Sequence, residues 1–188
     1  MNYLEYRRER RVSFLQRLLR KLLIPWIQFV PSWKLRTRLW RLCGANLDST
    51  VWIARNVALD EETLELITIE EGVRISYGTM LITHSGLDKK VGTIHIGRQA
   101  WIGAGCIILP GVTIGPYAAV GAGSVVHKNV DEDTTVFGVP AKAIKQSGVP
   151  RQWIHVTDRN YDQVMAAKTS GAEEEIQKTE SATTAIKT

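Results

Sequence analysis

Aliphatic residues recur in this chain at intervals of six. Ile96, Ile102, Ile108, Ile114, Val120 and Val126 form one unbroken series, and Ile69-Ile75-Leu81 and Leu47-Ile53-Leu59 extend it upstream as triplets. A second series lies four residues past the aliphatics and is small or β-branched: Val51, Val57, Val73, Thr79, Ala100, Cys106, Val112, Ala118 and Ser124. A strand alternates with period two and a helix repeats every 3.6 residues, so neither produces a strict six. A hexad repeat specifies a parallel β-helix, in which each hexad supplies one side of a triangular coil. The expected fold is therefore mainly β. The twelve aliphatic stops make about four coils, with the aliphatic pointing inward and the second small residue in a tight corner. Gly97, Gly103, Gly115 and Gly121 each follow an aliphatic stop and are expected to serve the turns through positive φ.

The register breaks after Leu59 and again after Leu81. Both are third stops of a triplet, so both excursions leave from the same corner. The second runs over about 83–94 before the repeat restarts in phase. A loop that the core does not need is a place to look for function.

The charge is unevenly placed. Residues 1–41 hold 11 Lys/Arg against Glu5 and Glu9, a net of +9, whereas the whole chain is only +5. The body is thus net acidic, which argues against a nucleic-acid partner, since such a protein spreads basic charge over its working surface. Within the arm, Leu15, Leu18, Leu19 and Leu22 recur at helical spacing, and Pro25 is expected to stop or kink that helix. A second helix is expected from Trp33 to Leu42, with Ser32 as N-cap, Gly44 just past its end, and Leu35, Leu39 and Leu42 on one face. Two placements follow. The helices pack on the body and cap one end of its core, or a basic amphipathic helix touches an anionic membrane surface. Two cysteines, Cys43 and Cys106, without a CxxC pair fit a reducing compartment, and the charged start lacks a signal-peptide pattern, so a cytoplasmic location is expected, peripheral at the inner membrane face if the arm binds lipid. The organisation expected is a helical arm over 1–45, a β-helix over 46–147, and an extension over 148–188 that is largely flexible after 164.

The run Ile96-Gly-Arg-Gln-Ala-Trp-Ile-Gly-Ala-Gly-Cys-Ile-Ile-Leu-Pro-Gly-Val-Thr-Ile-Gly115, then Val120-Gly-Ala-Gly-Ser-Val-Val-His-Lys128, then Phe137-Gly-Val-Pro-Ala-Lys142, resembles the hexapeptide-repeat acetyltransferases, over roughly residues 42–147. Within that superfamily it is similar to the galactoside, maltose and polysaccharide O-acetyltransferases. The resemblance implies a left-handed coil, a homotrimer, acetyl-CoA as donor, a saccharide acceptor and no metal. It places the catalytic histidine at His84, in Leu81-Ile-Thr-His-Ser85. The chemistry agrees: an acceptor hydroxyl is a poor nucleophile, and an imidazole can take its proton as the oxygen attacks a thioester. The resemblance also carries Ala104 and Ala122 to the pantetheine arm of coenzyme A, and Lys128, Lys142 and Lys145 to its phosphates. Trp101 and Ser85 are the candidates for the acceptor side. Trp101 either flanks that pocket or packs on a neighbouring subunit.

Departures from the family pattern limit the substrate. The excursion after His84 is shorter than in the galactoside enzymes, so a simple disaccharide is disfavoured and a polysaccharide or its precursor preferred. Transfer to an amino-sugar nitrogen or an antibiotic is the alternative within the same chemistry. A zinc carbonic anhydrase on the same coil needs three converging histidines, and His84, His95 and His127 show no close pair. A trimeric scaffold without catalysis would not need His84 together with the terminal lysines.

Overall fold

The computed structural model describes residues 3–9, 12–86 and 89–144. Lys145 and the extension from 148 to 188, with His155, lie outside the described residues.

The chain winds as the six-residue period requires. The first turn is β1 (Asn46–Leu47), β2 (Trp52–Ile53) and β3 (Ala58–Leu59), and the second is β4 (Ile67–Ile69), β5 (Arg74–Ile75) and β6 (Met80–Leu81). The third is β7 (Ile94–Ile96), β8 (Trp101–Ile102) and β9 (Ile107–Ile108), and the fourth is β10 (Thr113–Ile114), β11 (Ala119–Val120) and β12 (Val125–Val126). Each turn gives one strand to each of three sheets, β1-β4-β7-β10, β2-β5-β8-β11 and β3-β6-β9-β12, all paired in parallel. The second sheet continues through β13 (Thr135–Phe137), which pairs antiparallel with β14 (Lys142–Ala143).

Every aliphatic of the repeat is buried, and so is every small residue four positions on. Full burial of each branched side chain contributes roughly 1.5–3 kcal/mol, and stacked turns make these a single continuous core. The glycines after the aliphatics serve a different purpose from the one expected. Positive φ belongs instead to glycines such as Gly105 (φ 66°), and to Asn56, Gln99, Tyr117 and Asp133 at other corners. Gly103 is there because coils stack closely: a Cβ on it would lie 2.5 Å from the Ala122 backbone nitrogen.

Three helices precede the coils: α1 (Tyr3–Glu9), α2 (Phe14–Ile27) and α3 (Trp33–Leu42). Ile24, Ile27, Trp40 and Cys43 join the same core as Leu47 and Ile53, so α2 and α3 cap the first turn. The expected Ser32 cap is present, with Oγ accepting from Leu35 N (3.5 Å), and Gly44 follows at φ 109°. Pro25 falls in the last turn of α2, which ends at Ile27, and costs one backbone hydrogen bond. Leu39 packs against the core, but most of the leucine stripe does not. Leu15, Leu18, Leu22, Leu35 and Leu42 are exposed, while Arg20, Ile24, Ile27, Arg36, Thr37 and Trp40 face the body.

The reason is that α2 and α3 are anchored by polar groups. Buried Arg20 donates to the Cys43 carbonyl (2.8 Å) and pairs with Glu65 (2.7 Å). Buried Arg36 donates twice to the Ile53 carbonyl (3.0 and 2.8 Å) and also to Val30 O and Pro31 O. Thr37 Oγ1 donates to Val51 O (2.8 Å). The bonds to Ile53 O and Val51 O satisfy carbonyls at the open end of the first turn, where the next coil would otherwise supply donors.

Candidate active site

Both excursions leave the corner between the third and first sheets. Ala58 and Leu59 are register partners of Met80 and Leu81, so the residue after Leu59 sits beside the chain leaving Leu81. That residue is Asp60, with its side chain only 6% exposed. Its Oδ2 accepts from His84 Nδ1 (2.5 Å), Thr83 N (3.0 Å), Thr83 Oγ1 (2.9 Å) and His84 N (3.2 Å). Thr63, on the first excursion, hydrogen-bonds Thr83 through the two hydroxyls. Burial pushes the Asp60 carboxyl up, but the bonds from His84 and Thr83 outweigh it and hold the group below the usual carboxylate range.

An ionised carboxylate only accepts hydrogen bonds. The proton of a neutral His84 therefore sits on Nδ1, and the Nε2 lone pair is left for a proton from outside. The ring is fixed from a second side: Tyr3 stacks on it with centroids 5.1 Å apart and planes 23° apart. Tyr3 is itself held by its backbone N–H to Lys89 O (2.8 Å). His84 keeps 33% of its side chain exposed, so a substrate can reach it. An imidazole with one nitrogen on a buried carboxylate and the other open is the arrangement of a general base.

The remaining candidates distribute along the prism. Ser85 lies beside His84, its N–H bonded to Lys90 O (2.8 Å). Lys128 and His127 are exposed just after β12, on the His84 edge but two strands along the third sheet, about 10 Å away at ordinary strand spacing. Ala104 and Ala122 stack on the corner between the second and third sheets, joined by Gly123 N to Ala104 O (2.8 Å), and both are exposed. Lys142 is exposed on β14, at the end of the prism opposite the helices. Trp101 is half-buried on the second sheet, the face opposite the His84 corner, so one chain does not bring it to His84. Cys106 is fully buried with Sγ toward Gly121 O (3.2 Å), and burial raises its thiol pKa, which suits a corner residue rather than a nucleophile. His95 bonds Glu70 (3.0 Å) on the first sheet. Among the described residues no three His, Cys, Asp or Glu side chains are grouped to hold a metal.

Asp60, Thr83, Thr63 and Tyr3 were not singled out from the sequence. The signal for Asp60 was present in the two register breaks at one corner; nothing in the sequence points to Tyr3.

Residues 93–128 match the family model described as bacterial transferase hexapeptide (six repeats). This chain carries the bacterial transferase hexapeptide repeat. The Bacillus subtilis protein YvoF, named an acetyltransferase, is 32% identical over 115 residues, covering 60% of this chain and 64% of YvoF. The chain thus spans less than two thirds of the length of the curated relatives it matches. The hexapeptide-repeat acetyltransferase VCA0836 of Vibrio cholerae superposes with a TM-score of 0.55 at 27% identity, covering 72% of this chain and 94% of that one. Its complex with acetyl coenzyme A superposes equally, with a TM-score of 0.55 at 25% identity over 78% and 98% of the two chains. A maltose O-acetyltransferase from Clostridium difficile shares the fold, with a TM-score of 0.53 at 21% identity over 71% and 89%. The resemblance to hexapeptide-repeat acetyltransferases read from the sequence is borne out.

Proposed function

We infer that this protein is an acetyl-CoA-dependent O-acetyltransferase acting on a saccharide hydroxyl, with His84 as general base. The observation that carries the reading is the Asp60–His84 pair, which puts the proton of the neutral ring on Nδ1 and turns Nε2 to an exposed corner. In the reaction Nε2 takes the acceptor's hydroxyl proton as the oxygen attacks the thioester carbonyl carbon. The tetrahedral oxyanion then collapses, the carbon–sulfur bond breaks, and the departing thiolate takes the proton from His84. The products are an acetyl ester and free coenzyme A, with no covalent enzyme intermediate. Asp60 stabilises the transient imidazolium and holds the ring in the productive tautomer.

The VCA0836 complex supports acetyl-CoA as donor. Ala104 and Ala122 are small and exposed, which lets a pantetheine arm lie close to that corner, and Lys128 and Lys142, exposed toward the far end of the coils, suit its phosphates. The alanine corner and the His84 corner are different edges of one prism. That separation supports a homotrimer in which one copy's alanine corner meets a neighbour's His84 corner.

The test is calorimetric titration with acetyl-CoA, followed by a thiol-release screen over saccharide acceptors. Binding near one donor per chain and release dependent on an acceptor support the reading; a folded protein that binds no donor refutes it. Mild base separates the products, because an ester is cleaved and an amide survives.

A further inference from the structure

The N-terminal arm is amphipathic in the inverted sense. A helix packed on a soluble body ordinarily turns its apolar stripe inward and its charges outward. In α2 the inward face carries Arg20 with Ile24 and Ile27, and the outward face carries Phe14, Leu18, Leu22 and Trp26, continued by Phe29. Phe14, Trp26 and Phe29 are 81%, 67% and 68% exposed. The stripe runs the length of α2, about 20 Å, and no rotation of the helix can hide it. Arg20 is tied to the Cys43 carbonyl and Glu65, and α3 is tied through Arg36 and Thr37 to Ile53 and Val51.

The charge around the stripe identifies its occupant. Between Glu9 and Asp48 there is no acidic residue. Arg17 and Lys21 lie along one edge of the stripe, and Lys34, Arg38 and Arg41 are exposed on α3 beside exposed Leu35 and Leu42. A second copy docked stripe on stripe would set these cations against one another. An anionic lipid surface satisfies both features at once, with acyl chains taking the aromatic and leucine side chains and headgroups pairing with the cations. Trp26 at one end of the stripe has the apolar body and polar tip suited to that boundary. Among the described residues no helix is long and apolar enough to cross a membrane; α2, tied to the body along its inner face, presents its outer face to a surface.

We propose that α2, with the exposed face of α3, docks this protein on an anionic bilayer. Flotation with vesicles tests it, using phosphatidylcholine alone and phosphatidylcholine with about one third phosphatidylglycerol. The full chain floats with the anionic vesicles and not with the neutral ones, and salt weakens the binding. The triple variant L18Q/L22Q/W26Q loses flotation while keeping its circular dichroism and its assembly size. K21Q, which leaves the stripe intact, weakens binding about fivefold. Failure to float with anionic vesicles overturns the proposal, as does flotation unchanged in both variants. A triple variant that falls to a smaller assembly without any lipid also overturns it, since the stripe would then join copies of this chain.

Discussion

Replacing Asp60 with asparagine isolates the carboxylate's charge from its shape. In the native protein a single atom, Oδ2, accepts from Thr83 N (3.0 Å), His84 N (3.2 Å) and His84 Nδ1 (2.5 Å), so the asparagine oxygen takes that place and its NH2, which would face two N–H donors there, turns away. The ring keeps its tautomer, and what is lost is the negative charge that stabilises the imidazolium formed when Nε2 takes the acceptor's proton. Loss of a carboxylate in this position lowers turnover by on the order of 10²–10⁴-fold, about 3–5 kcal/mol of transition-state stabilisation. The assay is release of free coenzyme A from acetyl-CoA with an acceptor found by the screen, run beside calorimetry so that donor affinity is known to be intact. The same substitution carries a stability signature. The folded Asp60 carboxyl is held below its ordinary value, so its contribution is fully present above the unfolded pKa of about 3.9 and is lost as pH falls through the folded value. The parent therefore loses thermal stability more steeply than D60N on acidification below about pH 4. A D60N protein that binds donor normally and keeps more than about a third of its turnover would show that the Asp60 charge does not stabilise the imidazolium. The His84 mechanism would then need another support.

Removing the base itself, by His84→Ala, abolishes turnover with acetyl-CoA affinity unchanged within a few-fold, as measured by thiol release and calorimetry. Lys142→Glu weakens acetyl-CoA by on the order of tenfold through its phosphates, with little change in melting temperature because Lys142 is exposed. Gly103→Ala forces a Cβ to 2.5 Å from the Ala122 nitrogen, and urea unfolding reports a loss of about 1–3 kcal/mol or more, since backbone cannot yield as a flexible side chain would.

The core of this protein was legible in the sequence because a period of six leaves no freedom in which side chains point inward. Ile53, Ile75, Ile102 and Val120 occupy one line on the second sheet, and each is forced there by the residue one turn away. Two things escaped. The period locates a glycine after each aliphatic but not its purpose: Gly103 answers to the spacing between coils, a quantity visible only once the coils are stacked. Helical spacing likewise finds a stripe of leucines in the arm but not which stripe packs. In α2 and α3 the decision was made by Arg20 and Arg36, residues that composition alone assigns to solvent: Arg20 ties the Cys43 carbonyl to Glu65, and Arg36, with Thr37, reaches the open Ile53 and Val51 carbonyls of the first turn.

The Asp60–His84 pair lies between these extremes. Once Leu59 and Leu81 are recognised as the same stop on successive turns, Asp60 must lie beside the start of the second excursion, so that much follows from the repeat. What does not follow is that the second excursion turns back on itself, with Gly92 N–H donating to Thr83 O (2.9 Å). That turn depends on Thr83 donating to Asp60 and meeting Thr63, and on His84 bridging to Val91 before the repeat resumes. The repeat thus delivers a carboxylate to a fixed point, and hydrogen bonds specific to this excursion bring the imidazole to it. A change at Thr83 should accordingly disturb the pair while leaving every core aliphatic in register. In that sense the scaffold and the site are separable parts of one corner.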